Sequence, residues 1–448
     1  MALQKTSAMK RSSAVALNND PLNRALTALQ RHLLPFLFLL YVIAYLDRVN
    51  VSFAAAGVSR DLGLNSASYG FAAGIFFLGY VLFEIPSNLV LDRVGARRWI
   101  SRILLSWGVV AALMAFMTTA AQFNGLRLLL GVAEAGFFPG IILYLSQWVP
   151  EAQRARTLAG FMLAIPVAGL LGGPVSAALL SIDGFGGLAG WRWLFLLEAL
   201  PAIVLSVAVW HWLPNRPAQA RWLKPDEAEA LEQVLQTERS QRQVSADQVH
   251  GLAALWGDRR LWLMSVLYLG IATSFYGFSF WIPRFVGDAL GQSSPSPVLV
   301  NLLSAIPYGL AVVVMVLVGR AADRHADKRL FVAVPLAVAA LGLVLSLPAE
   351  GGLRLVLISI ATAAAFSSLG PAWAMPLQFL GGRAAAGGIA AINSFGNIGG
   401  FLAPFVMGQL MLRPHGDSLA LAYLAGVLLV SALLALVVSR RPQDREAR

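Results

Sequence analysis

From Leu33 to Ala56 the chain is almost continuously apolar, and runs of similar length recur along its 448 residues. A helix needs about 20 predominantly apolar residues to cross the hydrocarbon core of a bilayer. Within that core every backbone amide must be satisfied internally, which leaves helices or closed barrels. Barrel strands alternate polar and apolar residues, and these runs do not. The expected fold is therefore an all-α membrane protein with the lipid bilayer as its solvent. Composition agrees, since only 13% of residues are charged, against about 25% in soluble domains.

The runs predict twelve spans in two sets of six. The first set is expected at about 33–56, 69–91, 100–120, 123–148, 157–180 and 192–213. The second is expected at about 261–283, 297–318, 330–348, 353–377, 385–411 and 418–439. Residues 1–32 read as a polar, largely disordered tail without a cleavable signal peptide, and 440–448 as a basic tail. The charged stretch 214–260 reads as a linker between the six-helix halves 33–213 and 261–439, with a helical patch at Pro225–Leu231. Charge tests the count. With both termini on one side, the segments facing that side hold 26 of the 34 Lys and Arg residues. That bias predicts cytoplasmic termini, and a bacterial inner membrane is the expected location. The net charge of +11 thus reports topology, not nucleic-acid binding. Asp92-Arg93-Val94-Gly95-Ala96-Arg97-Arg98 follows span 2, and Asp323-Arg324-His325-Ala326-Asp327-Lys328-Arg329 follows the second span of the second half. Two related halves around a midplane site form a transporter architecture.

One stretch breaks the apolar pattern. Tyr45-Leu46-Asp47-Arg48-Val49-Asn50 places an acid and a base side by side near the middle of span 1. A charge at that depth costs at least ~2.5–3.5 kcal/mol. The functional reading is that Asp47 and Arg48 face a water-filled cavity and bind protons or an anion. The bland alternative is that they neutralise each other.

Several blocks together carry a resemblance. The Asp92–Arg98 loop and Arg127-Leu-Leu-Leu-Gly131 resemble motifs of the major facilitator superfamily. Asn88 departs from the glycine usual at the start of the loop motif, which Gly319 supplies in the second copy. Leu46–Asn50, Phe83–Asn88, Ala133–Gly140 and Ala390–Phe401 are similar to the anion:cation symporter family, which includes tartrate, phthalate and galactonate permeases. The resemblance implies proton-coupled uptake of a small organic anion by alternating access, without a cofactor. The alternative within transport is a proton-driven efflux antiporter of metabolites or drugs. A sensor and an enzyme are disfavoured: no signalling domain is appended, there is no cysteine, and no metal-ligand or phosphate-loop spacing occurs. One chain with two halves is expected to work as a monomer.

Individual residues then take expected roles. Asp47 and Glu134 carry the coupling proton, in agreement with the roles the family resemblance implies. A static ion pair is the competing role for Glu134, with Arg127 seven residues earlier on the same face. Arg48 and Arg127 are candidate anion hooks, because a guanidinium matches a carboxylate with two parallel hydrogen bonds. Tyr45 and Tyr80 offer hydroxyls at compatible depth, and Glu84 is read as structural or gating. Glu198 is expected to pair with Arg192 or a neighbouring helix. In the second half Tyr276 and Trp373 are candidates to stack on substrate. Asn393 and Asn397, four apart, share one helix face and can donate amide hydrogen bonds. Gln378 joins this polar set. Asp92, Arg93, Asp323 and Arg324 are expected to gate, by bonding the other half when the cytoplasmic side is shut. Gly131, Gly136 and Gly140 read as sites of close helix approach.

Overall fold

The computed structural model describes residues 20–246, 257–291, 296–325, 327–376 and 382–438. Gln378, most of both expected tails and 247–256 of the linker lie outside them. The described chain is predominantly helical, and several helix starts carry side-chain caps. In α1, Pro21–Phe53, the Asp20 side chain accepts from Leu22 N at 3.2 Å, with proline at the first position. In α3, Ser66–Val94, Asn65 accepts from Ser68 N at 2.8 Å. Between them lies the short α2, Ala55–Leu62. Next come α4, Ala96–Leu113, α5, Ala120–Glu134, and α6, Phe137–Ser146. The first half ends with α7, Glu151–Met162, α8, Ala164–Leu180, and α9, Gly190–Trp212.

The linker contains α10, Pro225–Ala246. The second half comprises α11, Arg259–Ala289, α12, Pro297–Leu303, α13, Ala305–Asp323, and α14, Arg329–Ser346. It continues with α15, Gly351–Ser367, α16, Leu369–Ala374, α17, Gly382–Leu410, and α18, Gly416–Val437. Among the described residues, eleven stretches are long and apolar enough to cross a membrane. The 29-residue α17 stands where the remaining expected span falls.

Three expectations need revision. The first helix begins at Pro21, so 21–32 is helical rather than a disordered tail. The linker is largely a fastened helix. Arg24 of α1 bonds Asp226 at 2.5 Å and Glu227 at 3.0 Å, and Arg154 of α7 pairs with Glu238 at 3.5 Å. Span 4 is broken: α5 ends at Glu134, and Gly136 takes a left-handed backbone with φ 84°. That conformation suits glycine, and a Cβ there would also run into the Ser87 side chain. Gly136 is thus a helix break as well as a contact.

The halves meet along α3 against α17, α1 against α11, and α8 against α12 and α13. Closure is tight on the side away from the tails. A Cβ on Gly70 would strike the Pro404 carbonyl, and one on Gly173 the Asn301 carbonyl. Asn301 donates to Phe53 O at 3.3 Å, and Arg284 bonds Ser66 Oγ at 3.1 Å. On the tail side, Asp92, Arg93, Asp323 and Arg324 are exposed. They form no ion pair among the described residues.

Candidate functional site

The charged residues of the first half converge beside the interface. Arg48, on α1, is buried and forms an ion pair through Nη2 with Glu134 Oε1 at the end of α5. Its Nη1 donates to the Tyr276 hydroxyl of α11 at 3.4 Å. The guanidinium lies 5.2 Å from the ring centres of both Phe76 and Tyr80 on α3, within cation–π range. One arginine therefore joins an acid of its own half, an aromatic floor and a hydroxyl of the other half.

Asp47 takes a different neighbour. Its Oδ2 accepts from Trp107 Nε1 of α4 at 2.6 Å. Successive residues of a helix point about 100° apart, so the adjacent acid and base cannot share a partner. The reading in which Asp47 and Arg48 neutralise each other is therefore not what the side chains do. Asp47 Oδ1 and Glu134 Oε2 are buried without a hydrogen-bond partner. Each unpartnered buried oxygen is costly, which leaves both acids open to a proton or to a new donor.

Arg127 is fully buried but does not reach Glu134. It donates to Ala72 O at 3.3 Å and Ala73 O at 3.1 Å on α3, and its Nη1 is unpartnered. Arg127 and Arg48 lie over the same Phe76 ring, at 5.0 and 5.2 Å. Glu198 on α9 accepts from Ser176 of α8 at 3.1 Å, so its partner is the neighbouring helix. Arg192 instead bonds the Ala115 carbonyl and stacks on Trp191 at 4.3 Å.

The second half contributes neutral groups. Tyr45 OH and Ser279 Oγ bond across the interface at 2.8 Å. Tyr276 packs on Phe77 with centroids 4.4 Å apart. Trp373 packs on Tyr268 at 4.6 Å, away from the Arg48 contacts. Asn393 and Asn397 share a face as expected, and both donate to Glu84 of α3, at 2.8 and 3.1 Å. Glu84 thus meets the second half directly instead of pairing along its own helix. Asp92 and Arg93 line a cavity of about 510 Å³ with Tyr144, Asn215 and Arg216, all on the first half and its linker. The residue that sequence reasoning missed is Trp107. Its signal is an indole N–H deep in a span, a donor that needs an acceptor when buried.

Comparison with known proteins agrees with this architecture. Residues 37–404 match the model of the Major Facilitator Superfamily. A protein of Agrobacterium vitis named "Putative tartrate transporter" is 42% identical, covering 95% of this chain and 96% of its own. The quinolone resistance transporter of Acinetobacter baumannii is 36% identical, covering 91% and 93%. The crystal structure of a D-xylose–proton symporter superposes with a TM-score of 0.71 over 90% of this chain and 96% of that one, at 15% identity. That last likeness speaks for the fold alone. By its family match and its relatives, the chain is an integral membrane transporter, not an enzyme, and belongs to the Major Facilitator Superfamily.

Proposed function

We propose that the protein is a proton-coupled symporter that takes up a small organic anion bearing a carboxylate. It would sit in the bacterial inner membrane with both termini in the cytoplasm and work as a monomer. The observation that carries this reading is Arg48, whose guanidinium is shared between Glu134 of its own half and Tyr276 of the other. A substrate carboxylate can offer that fork two oxygens, where Glu134 engages it through Oε1 alone. Protonation of Glu134 removes its claim on Arg48 and leaves the guanidinium to the incoming anion. Departure of the anion returns Arg48 to Glu134 and expels the proton. Asp47, with its own unpartnered oxygen, is the second proton carrier. Tyr276 offers its hydroxyl and Tyr80 its ring to the same guanidinium, while Tyr45 bonds Ser279 of the other half one turn earlier on α1. Trp373 contributes to the wall of the second half, and Arg127 holds the shape of α3 at the level of Ala72 and Ala73.

Alternating access requires contacts that exist in one state and not in another. Asp92, Arg93, Asp323 and Arg324, exposed here, are proposed to engage when the tail side shuts more completely. The relative named for tartrate supports a hydroxy-dicarboxylate as the first compound to try. The test is uptake of L-tartrate, phthalate and galactonate into proteoliposomes under an imposed inward proton gradient. Uptake that collapses with the gradient supports the reading; gradient-independent uptake removes the coupling. A second reading, proton-driven efflux, is favoured by the Acinetobacter relative named for quinolone resistance. Thermal stabilisation by a fluoroquinolone and by none of the carboxylates selects it.

A further inference from the structure

Glu84 is buried on the part of α3 nearer the tail side, and it forms no ion pair among the described residues. Among the described residues its side-chain hydrogen bonds come from the other half. Asn393 Nδ2 donates to Oε1 at 2.8 Å, and Asn397 Nδ2 donates to Oε2 at 3.1 Å. One amide serves each oxygen, from two residues a single helical turn apart on α17. The same arrangement would hold the carboxylate of a small organic acid, because an ionised carboxylate is a pure acceptor and a side-chain amide a ready donor. These are also the two amides that the sequence marks as substrate ligands. In this structure they are already taken.

We propose that Glu84 is an internal competitor for the substrate: its carboxylate occupies Asn393 and Asn397 and ties the two halves on the tail side, and an anion binds by taking those amides from it. This rests on the organic-anion reading above. Substrate arrival and release of the tie are then one event. Among the described residues Glu84 accepts side-chain hydrogen bonds from these two amides alone, and a buried carboxylate without donors is costly. Glu84 therefore has to gain water or a proton, and either follows from parting α3 and α17. An empty carrier keeps the tie and stays shut on the tail side; a loaded one loses it.

The test is a double-mutant cycle on the purified full-length protein, read as the Kd for L-tartrate, phthalate and galactonate used in turn. Glu84→Ala is expected to tighten binding about three- to tenfold, since a competed state lowers apparent affinity by the fraction occupied. The gain should shrink in an Asn397→Ala background, because one of the two contested amides is then gone. An equal gain in both backgrounds would reduce Glu84 to a general repeller of anions and overturn the proposal. So would unchanged or weaker binding by Glu84→Ala alone. Binding of none of the three acids by any variant, the native protein included, would sink the organic-anion reading and the competitor with it. A second measurement needs no substrate and uses Glu84→Gln, which keeps the side-chain volume. The chain has no cysteine, so spin labels can be placed at Arg98→Cys and Arg320→Cys, both exposed near tail-side helix ends. Glu84→Gln should lengthen or broaden their separation. An unchanged distribution means that no tie exists.

Discussion

The two halves share a fold and divide their chemistry. Among the described residues, every charged side chain buried within a span belongs to the first half: Asp47, Arg48, Glu84, Arg127, Glu134 and Glu198. The buried polar residues of the second half are neutral among the described residues, with Ser274, Ser279, Asn301, Thr362 and Asn397 as examples. The energetics of the two sets differ. Breaking a buried ion pair leaves an uncompensated charge and costs about 3–5 kcal/mol. An interhelical hydrogen bond between neutral groups in a membrane is worth ~0.6 kcal/mol on average. The first half is therefore constrained by charge matching, whereas the second can change its hydrogen-bonding surface at little cost to folding. Such a division would let related carriers keep one energy-coupling half while altering what they carry.

That contrast can be broken by substitution. The largest effect is expected from Arg48→Ala, which strands Glu134: a loss of about 3–5 kcal/mol in stability, with uptake abolished. Thermal unfolding and proteoliposome uptake measure the two consequences. Glu134→Gln and Asp47→Asn come next. Each should lower gradient-driven uptake by about tenfold or more, a barrier of at least ~1.4 kcal/mol. Exchange of labelled for unlabelled substrate should persist, and full retention of gradient-driven uptake by both variants would end the coupling role. Gly70→Leu tests the interface between the halves. A side chain there meets the Pro404 carbonyl, so we expect overpacking of about 1–3 kcal/mol and a measurable opening of the side away from the tails. The smallest effect should come from Ser279→Ala, which removes the 2.8 Å bond to Tyr45 across the interface and a 2.9 Å bond to Phe275 O within its own helix; the interhelical bond should cost ~0.6 kcal/mol. A Ser279 variant as damaging as the Arg48 variant would erase the distinction between the halves.

How much was readable beforehand depended on whether the information was local. Apolar run length and the placement of basic residues foretold the helices and their grouping, because the bilayer imposes both. The ionisable residues inside spans stood out for the same reason. Their partners did not. Asp47 and Arg48 are neighbours in sequence but diverge around the helix, to Trp107 and Glu134. Arg127 and Glu134 share a helix face, yet Arg127 turns to the carbonyls of Ala72 and Ala73. Helical periodicity tells which way a side chain leaves its own helix and is silent on what the next helix presents. Gly136 shows the same limit, since a glycine chosen for close packing and one required for a left-handed turn look identical in a sequence. Asn393 and Asn397 were correctly placed on one face, while the identity of the acceptor that faces them, Glu84, came only from the fold.

The fastened linker has a mechanical consequence. Arg24 grips the start of α10 and Arg154 a residue past its middle, so the helix is fastened chiefly to the first half, although it also approaches α17. The covalent leash from α10 to α11 is then not the whole of 214–260 but the twelve residues between Ala246 and Arg259. A chain cut there and expressed as two pieces would leave each body with its own complement of helices. Reassembly of such pieces into a working carrier would mean that the seam between the halves, rather than the leash, keeps them in register.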